Sequence, residues 1–155
     1  MIAPDKPHCP PDMLAHANAM ADAVRPVIRK YFRTRLAVDA KGDASPVTIA
    51  DREAETVMRD MIAAGFPDHG IRGEEFGIFQ ADAEWVWVLD PIDGTKSFVS
   101  GSLAFGTQIA LLHRGRSVLG IIDQPITQER WLGKAGEATL LNGAAIHCSD
   151  TEQIG

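Results

Sequence analysis

The sequence predicts an α+β fold in which two N-terminal helices pack on a largely antiparallel sheet, and three observations predict it. Apolar residues recur at three- and four-residue steps through the first part of the chain. From Gly70 onward the apolar runs become short and rich in β-branched and aromatic residues. The turn Arg114-Gly115-Arg116 stands between two such runs, as in a hairpin. Helices grouped ahead of a hairpin-rich sheet are expected to cover one of its faces.

After a proline-rich lead, Asp12 is the expected N-cap of the first helix. Leu14, Ala17, Ala21, Val24, Ile28, Tyr31 and Phe32 form its apolar stripe. Pro26 lies within this pattern and is expected to bend the helix without ending it, because the spacing continues beyond it. Residues 39–46 are polar and small and read as a loop. Thr48 is then positioned to cap a second helix, whose stripe of Ala54, Val57, Met58, Met61 and Ile62 ends at Gly65-Phe66-Pro67. The first strand signals are residues 71–73 and 85–89, with residues 76–84 irregular between them. Residues 105–113 and 117–123 read as paired strands, and residues 129–133 supply another. A short helix between these groups completes the order α-α-β-β-α-β-β-β.

With 155 residues, of which 45% are hydrophobic, the chain is long enough for one globular domain spanning residues 1–155. A net charge of -6 argues against nucleic-acid binding, which is met by basic patches. Cys9 and Cys148 lie outside any metal-binding or redox spacing and read as free thiols. The N-terminus lacks a basic segment followed by an apolar run, and no stretch approaches a membrane span. A cytoplasmic location without membrane contact is therefore expected.

The chemistry concentrates where the apolar run 85–89 enters Asp90-Pro91-Ile92-Asp93-Gly94-Thr95. Pro91 removes a donor and stiffens the chain. The three-residue step from Asp90 to Asp93 is expected to put both carboxylates on one side as a helix begins, leaving the Ile92 carbonyl free to join them. Two carboxylates held close repel each other, and a hard divalent cation such as magnesium relieves that repulsion while accepting oxygen ligands. Gly94 admits close approach of backbone to a ligand, and the helical turn opened by Thr95 aims N–H groups at an anion such as phosphate. The structural alternative is that Asp90 and Asp93 cap a helix. Glu74, in Gly73-Glu74-Glu75 at the end of the other strand, is positioned to join Asp90 from a neighbouring strand; its alternative is a solvated acidic loop. Asp51 lies three residues after Thr48, the spacing of a capping box. His8, His16, His69, His113 and His147 show no metal-ligand spacing.

These segments, together with Ser45-Pro46-Val47-Thr48-Ile49-Ala50-Asp51, resemble the successive N-terminal motifs of inositol monophosphatase-like enzymes, in order and spacing. The continuation Lys96-Ser97-Phe98-Val99-Ser100-Gly101 is more similar to the histidinol-phosphate phosphatase branch. The resemblance implies the N-terminal half of a layered α/β/α/β/α fold. It implies two or three Mg2+ ions: one held by Glu74, Asp90 and the Ile92 carbonyl, a second by Asp90 and Asp93, and a third, weaker ion contacted by Glu74. It also implies that Thr95 and Asp51 orient the attacking water, with Thr95 passing a proton toward Asp51. The backbone of Gly94 and Thr95 then binds phosphate oxygens, and Lys41 resembles a basic residue on a mobile loop near the site.

The implied activity is magnesium-dependent hydrolysis of a small phosphate monoester, with histidinol phosphate the leading substrate and a homodimer the expected assembly. Inositol monophosphate and 3'-phosphoadenosine 5'-phosphate are the alternatives. The family's C-terminal α/β domain, whose Trp-Asp motif completes the second metal site, is expected to be absent from these residues, since Asp123 and Asp150 lie in other contexts. A non-enzymatic metal- or phosphate-binding remnant is the competing expectation.

Overall fold

The computed structural model describes residues 8–34, 38–40 and 46–149, with 38–40 and 46–48 as backbone only. Helix α1 (Pro11–Tyr31) carries Met13, Ala17, Met20, Ala21, Val24 and Ile28 into the core. Its start differs from expectation: Pro10 is the N-cap and Asp12 lies inside the first turn. Proline at the first helical position needs no N–H there and is pre-set in φ, so it begins the helix without a side-chain cap. Pro26 is carried through, as its spacing predicts. Helix α2 (Ile49–Gly65) follows directly after a two-stranded hairpin, β1 (Val38–Ala40) and β2 (Pro46–Thr48), paired antiparallel. The stretch read as loop thus contains strand at both ends. Lys41, Ser45, Asp150 and the side chain of Thr48, with the capping box it was expected to form, lie outside the described residues.

Among the described residues the main sheet has eight strands: β3 (Gly70–Gly73), β4 (Gly77–Phe79), β5 (Trp85–Asp93), β6 (Gly106–His113), β7 (Arg116–Gln124), β8 (Glu129–Lys134), β9 (Leu140–Leu141) and β10 (Ala144–Ala145). Their spatial order is β10-β9-β8-β7-β6-β5-β3-β4. Among the described residues only β3 and β5 pair in parallel, so the sheet is largely antiparallel. Three differences from expectation are local. β4 occupies part of the segment read as irregular, an exposed edge strand whose pairing to β3 no hydrophobic alternation announces. β9 and β10 form a two-residue hairpin around Asn142 and Gly143, too short to carry a periodicity. β5 runs on through Asp93, beyond the expected end at Leu89.

Helices α1 and α2 cover one face of the sheet, where Trp87, Leu89, Ile109, Leu111, Leu119 and Ile121 are buried at alternating positions. The buried Trp87 indole donates to Nδ1 of His69 at 3.1 Å. The α1 seam is also ionic. Asp123, fully buried on β7, accepts from Arg25 Nε and Nη2 at 2.7 Å each and from Arg130 Nε at 2.7 Å. Arg130 continues to Asn18 and Asp22 of α1. Cys9 and Cys148 are free. No helix among the described residues is long and apolar enough to cross a membrane. The opposite face bears Val88, Asp90, Gln108 and a half-exposed Ile122, which line one cavity.

Candidate functional site

The parallel register of β3 and β5 sets Gly73 opposite Leu89, and the Glu74 N–H then bonds the Leu89 carbonyl at 3.2 Å. Glu74 is thereby delivered beside Asp90, as its place at the strand end predicts. The route by which Asp93 joins them differs from expectation. The chain does not enter a helix between the two aspartates, since α3 (Thr95–Val99) begins only after Gly94. Residues three apart on a regular strand face opposite sides. Here Asp90 pairs with Gln108 and Asp93 with Gly106, so three steps along β5 match two along β6. One extra residue has been inserted, a β-bulge, and it returns Asp93 to the side of Asp90. Pro91 suits the bulge because it has no ladder N–H to lose. The buried Thr107 hydroxyl donates to the Pro91 carbonyl at 2.8 Å, a bond across the irregular pairing.

Asp90 is the electrostatic centre of the cluster. Burial, then a hydrogen bond with Glu74, then the charges of Glu74, Asp93 and Asp51 push its carboxyl from the ordinary 3.8 up to about 8. Asp51 acts from the first turn of α2, where its side chain is buried. The four carboxylates singled out in the sequence therefore share one neighbourhood. Asp90 Oδ1 is buried with no hydrogen-bond partner among the described residues. Asp93 accepts from the Gln108 amide. The Thr95 hydroxyl donates to the Ile92 carbonyl at 3.0 Å, so the carbonyl points toward the start of α3. Asp93 and Gly94 open on a cleft of about 460 Å³ whose wall includes Phe105, Gln108, Thr127 and Trp131.

An oxygen-only donor set of high negative charge, with one buried oxygen left unpaired, fits a hard divalent cation. Among the described residues no group of three or more His, Cys, Asp or Glu side chains is arranged to enclose a metal ion as it stands. Glu74 and Asp93 are exposed side chains, and closing the group needs rotations about their side-chain bonds, which exposed residues make readily.

Gly94 has φ +87° and ψ 37°, and a Cβ there would lie 2.7 Å from the Ala104 carbonyl oxygen. Both the left-handed backbone and the contact demand glycine. Gly94→Ala is expected to cost at least about 1–2 kcal/mol and to lower the melting temperature by about 3–6 °C, measured by thermal circular dichroism.

Three participating residues escaped the sequence reading. Glu55, fully buried, accepts from the backbone N–H groups of Glu75 and Phe76. Its signal was available: it shares the buried stripe of α2 with Asp51, Ala54, Met58 and Ile62. Gln108 and Thr107 carry no such signal, since their partners Asp93 and Pro91 are known only once β5 and β6 are paired.

Comparison with known proteins bears on the same residues. Residues 11–155 match the model of the Inositol monophosphatase family. The chain is 54% identical over 134 residues to the chloroplastic bifunctional phosphatase IMPL2 of Arabidopsis thaliana, covering 85% of this chain and 39% of the relative. It is 39% identical over 134 residues to a histidinol-phosphatase of Chlorobaculum parvum, covering 86% of this chain and 52% of the relative. Among solved structures, an inositol monophosphatase from Zymomonas mobilis superposes with a TM-score of 0.77 at 48% identity, covering 90% of this chain and 54% of that one. The chain thus spans about half the length of these relatives, or less.

Proposed function

Given that the chain belongs to the inositol monophosphatase family, we propose that it is the N-terminal metal- and phosphate-binding domain of a magnesium-dependent phosphomonoesterase. The observation that carries this reading is Asp90: a buried, unpartnered carboxylate oxygen crowded by Glu74, Asp93 and Asp51. Such a cluster is costly unless protonated or matched by a cation.

In this proposal Glu74, Asp90 and the Ile92 carbonyl would hold one ion, Asp90 and Asp93 would hold a second, and Glu74 would reach a third. Magnesium, when bound, supplies Lewis-acid charge that makes water acidic and offsets charge on the phosphate and the leaving oxygen. Thr95 and Asp51 hold the attacking water and take its proton, Thr95 relaying it to Asp51. The water oxygen bonds to phosphorus as the bond to the ester oxygen breaks; the leaving oxygen takes a proton from solvent, Asp51 releases one to solvent, and phosphate is released. Gly94 and Thr95 offer backbone N–H groups to the phosphate oxygens from the turn that the left-handed Gly94 creates. The second ion would take a further carboxylate from outside these residues. The catalytic assembly is a cytoplasmic homodimer acting on a small phosphorylated metabolite.

Histidinol phosphate is the proposed substrate, supported by residues 96–101 and by the histidinol-phosphatase relative. Inositol monophosphate is the second reading, supported by the 48% identity to the Zymomonas mobilis protein. Phosphate release from histidinol phosphate, inositol 1-phosphate and 3'-phosphoadenosine 5'-phosphate, by the natural polypeptide at full length with magnesium, tests both. Turnover of histidinol phosphate at least about 10-fold above the others, in kcat/KM, is expected; a 10-fold preference corresponds to about 1.4 kcal/mol of transition-state discrimination. Failure on all three esters would overturn the enzymatic reading.

A further inference from the structure

We propose that Glu55 is a positioning residue for Glu74, an inference that rests on the reading of Glu74 as a metal ligand. Glu55 lies on α2 with its side chain fully buried. A buried carboxylate persists only where donors surround it, and this one has three. Oε2 accepts from the Glu75 N–H at 2.7 Å. Oε1 accepts from the Phe76 N–H at 3.2 Å and from Arg59 Nε at 2.7 Å.

The two backbone donors immediately follow Glu74 in the chain, while the Glu74 N–H itself is tied to Leu89 of β5. The main chain is therefore clamped on both sides of Glu74, to the sheet before it and to α2 after it. Arg59 extends the clamp, donating to the Gly77 carbonyl and standing 5.9 Å from the Phe76 ring centre. Gly73 is shaped to the same contact, for a Cβ there would lie 1.9 Å from Glu55 Oε1. In Gly73-Glu74-Glu75, then, Gly73 admits the Glu55 carboxylate, Glu75 and Phe76 engage it, and Glu74 is presented toward Asp90.

An apolar side chain of similar volume would fill the α2 seam without a charge to desolvate. Ligation imposes a stricter demand, because the backbone that carries a ligand must be held within about 0.5 Å for a side-chain rotation to bring the ligand to the ion. Glu55 meets that demand through an acceptor-only group, which Gln cannot replace: its NH2 would face a backbone N–H.

The test measures binding of Mn2+, followed by loss of its free-ion electron paramagnetic resonance signal, to the 155-residue chain and its variants. Glu55→Gln is expected to weaken Mn2+ binding about 10- to 100-fold, the range for groups that orient metal ligands, with the far-ultraviolet circular dichroism unchanged. Gly73→Ala, which displaces the same carboxylate while leaving Glu74 and Glu55 in place, is expected to weaken it similarly. If either variant folds and binds Mn2+ as the wild type does, Glu55 is only a structural clamp and the proposal fails. In the wild type, amide hydrogen exchange at Glu75 and Phe76 is expected to be slow; exchange at the rate of an open loop would also overturn it, with no variant needed. Glu74→Gln separates the underlying reading. If that variant binds Mn2+ like the wild type, or if the wild type binds none, Glu74 as a ligand is what fails.

Discussion

Asp90→Asn is expected to abolish divalent-cation binding and, in the same protein, to raise the melting temperature of the metal-free chain by about 3–6 °C. Both effects come from one carboxylate. Asp90 is the member of the cluster shared between the two proposed ion sites, and Asn offers a single neutral oxygen in its place. In the metal-free chain, burial, Glu74, Asp93 and Asp51 hold the Asp90 carboxyl up to about 8, against 3.8 in an unperturbed aspartate. Asp90 therefore carries its proton in the folded chain through a range where the unfolded chain has lost it. Its contribution to stability is full below pH 3.8 and is lost as the pH rises through about 8. Asn cannot ionise, so the variant should lack that decline and gain most over the wild type toward the alkaline end. Thermal melts in chelator at several pH values, with calorimetric titration of magnesium, check both halves. Unchanged magnesium binding would remove Asp90 from the site, and an unchanged pH profile would remove the electrostatic account of it.

Asp123→Ala is expected to destabilise the chain by about 3–5 kcal/mol, the cost of stripping one partner from a buried ionic network. At this chain length that is a fall of about 8–15 °C in melting temperature. Asp123 is fully buried and receives two bonds from Arg25 and one from Arg130. Its removal leaves two guanidinium groups facing each other across the seam between α1 and the sheet. Arg25 gives Asp123 two donors where Arg130 gives one. Its charged state is strengthened chiefly by the hydrogen bond to Asp123, which outweighs the effect of burial. Denaturant unfolding that extrapolates to a loss below about 1 kcal/mol would show that α1 docks by its apolar stripe alone.

The two sets of carboxylates illustrate what was legible in advance. Glu74, Asp90 and Asp93 could be named from residue type and spacing because an apolar run ending in acids is a conflict that only a cation, a cap or a proton resolves. Asp123 could not. In the sequence it is one more polar residue ending an alternating run, and its partners Arg25 and Arg130 are identified only when α1, β7 and β8 are brought together. The helix pair was legible because its periodicity extends over several turns. Edge strand β4 and the β9–β10 hairpin were not, because two or three residues hold too little pattern to distinguish a strand from a turn.

By itself the sequence determined the family and the α+β class with its two leading helices, and it named the acidic residues of the proposed site. These are properties of residue type, order and local period, which need no partner to be read. Only the tertiary structure decided how those acids meet. A bulge against β6 turns Asp93 back to the side of Asp90, and a parallel β3–β5 pairing delivers Glu74. Glu55 reaches from α2 to a turn 20 residues away. The reason is that a side chain's facing on a strand depends on hydrogen-bond register, and register is set by a neighbouring strand distant in the sequence.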